Sequence, residues 1–158
     1  MKLRFLCANH REWLQSQPHQ ALHWCANSFE TGWNLFLGGH FKDALAHMGC
    51  AFETAEILLT TRAIAPGNAA RWFLKTLDGL LQTLEHLQLT QTCIELYQIA
   101  IDRLRKEVSY SISPELEASL YQEITRLNRA RRHIGEGGIR PVTSAFVSKA
   151  QRGTMVLH

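Results

Sequence analysis

Residues 32–51 read GWNLFLGGHFKDALAHMGCA, and this stretch decides the fold. The pair Gly38-Gly39 separates two apolar segments, and glycine tolerates the left-handed backbone that comes after a helix end. Ahead of the pair, Leu22, Ala26, Phe29, Trp33 and Phe36 recur at steps of four, three, four and three, the helical period. Beyond it, Phe41, Ala44, Leu45, Met48 and Ala51 or Phe52 recur in the same way. The spacing predicts two helices, over residues 19–37 and 41–59, joined by a tight turn. The first has two distinct faces. One carries the rings, and the other carries Cys25, Ser28, Gly32 and Leu35. Such a helix can pack closely on two neighbours.

The same signals extend to both sides. A first helix spans residues 2–16, with Leu3, Leu6, Cys7 and Leu14 on one stripe, and stops before Pro18. Residues 60–68 form a connection marked by Pro66-Gly67, and Asn68 caps the next helix. This fourth helix, 69–87, repeats Ala70, Phe73, Leu77, Leu80, Leu84 and Leu87 three and four apart. A fifth spans 91–108 through Ile94, Tyr97, Leu104 and Val108. Ser113-Pro114-Glu115 combines a cap, a first-turn proline and an acid at the positive dipole end, so a sixth helix spans 114–133. The GEGG run at 135–138 ends it. No alternation of period two persists anywhere. The fold class predicted is all-α, about six antiparallel helices joined by short loops, as a bundle or short right-handed superhelix. One helical domain is expected over 1–134, with a basic tail over 135–158.

Composition agrees with a globular chain. At 158 residues, 46% hydrophobic and 20% charged, it can bury a sizeable core. Its net charge of +3 is unevenly placed. Residues 1–125 hold ten Lys/Arg and thirteen Asp/Glu, whereas 126–158 hold seven Lys/Arg and one acid. Basic tails attract nucleic acid, anionic lipid or acidic protein surfaces, and arginines also simply favour a helix C-terminus. The first residues, MKLRFLCANHREWL, are broken by Asn9, His10, Arg11 and Glu12 and do not form a signal peptide. No apolar stretch approaches the ~20 residues of a membrane span. These features predict a cytoplasmic chain with Cys7, Cys25, Cys50 and Cys93 reduced.

With its glycine, its small residues and its turn, the hairpin resembles the tetratricopeptide repeat. Gly32, Ala44, Met48 and Ala51, with Leu35, match that repeat's pattern. Leu81, Cys93, Tyr97 and Ala100, with Leu84, form a weaker second match. Together they cover about half the chain. The departures are Ser28 at the position usually held by Trp, Leu81 at the crossing glycine, and a spacing wider than the ~34 residues of regular repeats. The resemblance implies a divergent tetratricopeptide-like protein that binds a partner protein or peptide, as an adaptor, co-chaperone or regulatory subunit, without catalysis. It places one groove set at Ala26, Phe29, Trp33, Phe36 and Leu37, and a second at Lys75, Asp78, Gln82, Glu85 and His86. Phe29, Trp33 and Phe36 are the expected apolar anchors, and Lys75 and Gln82 the polar contacts. A ring stripe at this spacing is also what a core face packed on the first helix looks like. A stripe left uncovered would support homo-oligomers.

Other chemistry has weaker signals. His19 and His23, near Cys25, and His47 with Cys50 have the i, i+4 and i, i+3 spacing of metal ligands, but lie far apart along an antiparallel pair. GEGG lacks the strand and GK[ST] of a phosphate loop, and no GxSxG occurs. Asp78 and Glu85 are an ordinary pair of helix acids. No catalytic residue, metal or cofactor is expected. The rival reading is nucleic-acid or acidic-partner binding through Arg126, Arg129 and Arg132 on one face of the sixth helix, extended by Arg140, Lys149 and Arg152.

Overall fold

A computed structural model describes residues 4–137, and within them the chain forms six helices and no strand. These are α1 (Ala8–Ser16), α2 (Pro18–Leu37), α3 (Phe41–Thr61), α4 (Pro66–His86), α5 (Thr90–Tyr110) and α6 (Pro114–Gly135). The all-α class and the six-helix count expected from the sequence are both present.

Local chemistry explains most of the boundaries. Gly39 takes a φ of 79° and lets the chain reverse between α2 and α3. Pro18, Pro66 and Pro114 each open a helix, where a missing N–H costs nothing. The Ser113 hydroxyl accepts the Leu116 N–H at 3.3 Å and so caps α6 as expected.

Several boundaries differ from the sequence reading, with α5 and α6 each running two residues further, to Tyr110 and Gly135. Helix α4 starts at Pro66, so Asn68 lies in its first turn, with its N–H bonded to the Ala65 carbonyl, and caps nothing. Helix α3 stops at Arg62, whose φ of 54° puts a non-glycine residue in the left-handed region. Helix α1 begins only at Ala8. Glu53 is the reason. Its buried carboxylate accepts the N–H of Phe5 at 2.8 Å, the N–H of Leu6 at 3.0 Å and Nη2 of Arg11 at 2.9 Å. Both oxygens are satisfied by charge-assisted bonds, which hold residues 5 and 6 in a non-helical path across α3. The Phe5 ring lies against Gly49, where an added Cβ would run into the ring.

The described chain separates after Leu87 into two compact units. In the first, α2 packs on α3, α3 packs on α4, and α1 rests on α2 and α3. Helix α2 turns its small face inward, burying Ala21, Cys25, Ser28 and Gly32. Cys25 donates its thiol to the Ala51 carbonyl at 3.5 Å. A Cβ on Gly32 would lie 3.1 Å from Cγ and from the backbone N of Met48, so the α2–α3 crossing depends on glycine. Met48 also reaches the opposite helix, with its Sδ 2.9 Å from where a Gly79 Cβ would be. One methionine thus fills the space left by two glycines on α2 and α4. Lower in the same core, Phe52 and Phe73 pack with ring centres 5.2 Å apart. The second unit is the hairpin of α5 on α6. It buries Leu96, Ile101 and Leu104 from α5, and Leu120, Ile124 and Leu127 from α6. Arg131 donates to the Gln98 side chain across that hairpin.

Candidate functional site: an aromatic seam along α2 and α4

Because the small face of α2 is turned to α3, its ring face is left half-buried. Phe29, Trp33 and Phe36 form a ladder of nearly parallel rings. Phe29 and Trp33 are 6.1 Å apart at an interplanar angle of 8°, and Trp33 and Phe36 are 5.2 Å apart at 10°. The stripe is not a core face under α1. Helix α1 meets the opposite flank of α2, where His10 stands edge-on to Trp24 at 4.5 Å.

Helix α4 forms the other side of the ladder. Trp72, Lys75, Gly79, Gln82 and His86 fall three and four apart on one face. The Lys75 ammonium sits 4.7 Å from the centre of Phe29 and 4.9 Å from that of Trp72. The edge of Phe29 rests on the bare backbone of Gly79, where a Cβ would be 2.9 Å from Cε2. At the far end, His86 stands edge-on to Phe36 at 4.9 Å and packs on Phe41 at 4.6 Å. Its Nδ1 lies 2.9 Å from the Gln82 carbonyl oxygen and donates to it. Phe29 meets Lys75 and Phe36 meets His86, so α2 and α4 run side by side in the same direction.

Electrostatics set the two ends apart. Burial lowers the Lys75 pKa below the usual lysine value, while Cys25 and Glu30 act in the opposite sense. The Cys25 thiol beneath is pushed up to about 12 by burial, against a lowering influence from Lys75. The cation end therefore stands over a neutral thiol, not a thiolate nucleophile.

Of the residues singled out by sequence, Phe29, Trp33, Phe36, Lys75, Gln82 and His86 come together on this seam, and Ala26 is half-buried on α2 beside them. Leu37 is exposed at the helix end. Asp78 is a correction. Placed in the polar groove set, it is 1% exposed and belongs to the interior. Its spacing of three from Lys75 and four from Gln82 makes it their neighbour on α4, so burial and not register removes it from the exposed seam. Trp72, Gly79 and Phe41 were missed. A lone glycine inside the most regular helix of the chain was the available signal for Gly79, since it costs about 1 kcal/mol against alanine and calls for a packing reason.

The other candidates stay apart. His23 pairs with Asn27 at 3.0 Å, and Cys50 donates to the Phe5 carbonyl at 3.8 Å. No group of three or more metal-binding side chains occurs among the described residues. On α6, Arg126 is held by Glu123 at 2.7 Å, while Arg129 and Arg132 are exposed. Arg140, Lys149, Arg152 and most of the 135–158 tail lie outside the described residues. Among the described residues, no helix is long and apolar enough to cross a membrane.

Against known proteins, the chain matches no family model, no curated protein and no solved structure.

Proposed function

We propose that this chain is a non-catalytic protein-interaction module, tetratricopeptide-like in its first hairpin, that binds a peptide or helix of a partner along the α2–α4 seam. The observation that carries this reading is the inversion of α2, which buries its small face and leaves its three stacked rings half-exposed. Aromatic side chains supply large contact area at little conformational cost, and they dominate binding hot spots. Support for the tetratricopeptide-like part comes from the close approach of Gly32 to Met48 at the crossing. The roles that fit are adaptor, co-chaperone or regulatory subunit, acting in the cytoplasm. A nucleic-acid reading draws, on α6, mainly on Arg129 and Arg132, because Glu123 already occupies Arg126.

The test is capture of partners on the full chain, on Trp33→Ala and on the Arg129→Glu/Arg132→Glu double variant, each first shown to be helical by circular dichroism. A protein partner lost with Trp33→Ala and kept by the arginine variant is the expected result. Nuclease-sensitive material lost only with the arginine variant would move the function to α6 and end the seam reading.

A further inference from the structure

We infer that the partner of this seam is an amphipathic helix that brings a carboxylate to Lys75 and lays apolar side chains at i, i+4 and i+7 on Phe29, Trp33 and Phe36. The inference rests on the interaction-module reading and adds the chemistry of the occupant.

The ladder has helical dimensions because it is itself built on one helix face. From position 29 to position 36 is seven residues, a rise of roughly 10 Å. An apolar stripe at i, i+4 and i+7 on a partner helix spans the same length, so three side chains can each meet one ring. Recognition of an amphipathic helix by such a row of anchors is a recurrent mode.

The ends of the ladder then decide the partner's charge. His86, Phe36 and Phe41 close one end with rings packed on one another. Lys75 occupies the other, half-buried against Phe29 and Trp72. Ring faces attract an ammonium through their quadrupoles but supply no formal charge. Among the described residues no carboxylate lies within ion-pairing distance of Lys75. Glu30 is close enough to favour the charged form but does not pair with it. Burial works the other way and lowers the Lys75 pKa, which marks an ammonium short of solvation. A carboxylate arriving on the open side restores what burial removed. A basic residue arriving there adds like-charge repulsion at a partly desolvated site, which selects against basic helices.

Four stapled helical peptides test this. Two carry leucine at i, i+4 and i+7, with glutamate one turn before the first leucine or one turn after the last, to cover both directions of docking. The other two replace that glutamate with lysine. Binding to the full chain is read by fluorescence anisotropy of the labelled peptide. One glutamate peptide is expected to bind about tenfold or more tighter than its lysine counterpart, and Lys75→Glu to invert that order. If Lys75→Glu fails to fold, Lys75→Gln serves instead and is expected to remove the preference. Equal binding of glutamate and lysine peptides, abolished by Trp33→Ala, overturns the carboxylate and leaves the seam standing. Absence of binding by all four peptides overturns the seam as well. A chain that sediments as a dimer and becomes monomeric with Trp33→Ala makes a second copy the occupant, and also overturns the inference.

Discussion

The Phe29 ring lies on Gly79 so closely that a Cβ there would sit 2.9 Å from Cε2. That single approach sets the ladder against α4 and leaves the Lys75 ammonium over the same ring.

Three glycine-to-alanine changes should therefore separate by what each methyl meets. Gly67 has nothing within 4 Å, so Gly67→Ala is expected to be neutral or to stabilise by up to about 1 kcal/mol. At Gly32 the methyl meets the Met48 backbone N at 3.1 Å, which cannot move alone, and a net loss of about 1 kcal/mol is expected. At Gly79 it meets the ends of Met48 and Phe29, which can shift. There the expected change is a small loss of stability and an altered near-ultraviolet circular dichroism signal from the stacked rings. Denaturant unfolding of the three variants checks the order.

Trp33→Ala is expected to cost about 1–2 kcal/mol, well below the roughly 3–5 kcal/mol of a fully buried tryptophan. Its ring is half-exposed and loses two stacking neighbours, not a closed cavity. A folded Trp33→Ala with native helicity fits that picture. A variant that unfolds at room temperature would make the ladder a core element.

Glu53→Ala leaves the Phe5 and Leu6 N–H groups and Arg11 without their shared acceptor. A loss of about 3 kcal/mol is expected, with faster hydrogen exchange at residues 5 and 6. Arg11→Ala should cost less, about 1 kcal/mol, because both backbone N–H groups remain on the carboxylate and Arg11 is partly solvated.

Thiol labelling should track exposure. Cys7 is exposed and should react first with maleimide, Cys50 more slowly, and Cys25 and Cys93 only on unfolding. The raised Cys25 pKa also has a sign. In the unfolded chain the thiol ionises from about 9, whereas the native thiol holds its proton to about 12. Its contribution is complete below pH 9 and declines as pH rises through that window. Lys75, lowered from 10.5, acts in the opposite sense, since the unfolded chain holds that proton to higher pH. Urea midpoints between pH 8 and 11 should fall less steeply with pH in Cys25→Ala than in the parent chain.

Ser113→Ala removes the one side-chain cap that α6 possesses. A loss of about 1 kcal/mol is expected, seen as earlier melting of the α5–α6 hairpin by hydrogen exchange.

The amino-acid sequence alone determined the helices, because their signals are local. Gly38-Gly39, Pro114 behind Ser113, and the three-four spacing of the apolar residues act within a few residues of themselves. It could not assign the faces of α2, since Phe29-Trp33-Phe36 and Cys25-Ser28-Gly32 recur with the same period. Tertiary packing settled that. Only the small face lets α3 come near enough for Met48 to fill the space between Gly32 and Gly79, and the rings are left half-covered along α4. Packing also took Glu53 into the interior, where it shortened α1 by capturing two backbone N–H groups from residues nearly fifty positions away. Asp78, polar and three residues from Lys75, is likewise buried. Burial of a charged side chain depends on which neighbours surround its helix face, and that information is not held in the local spacing of the chain.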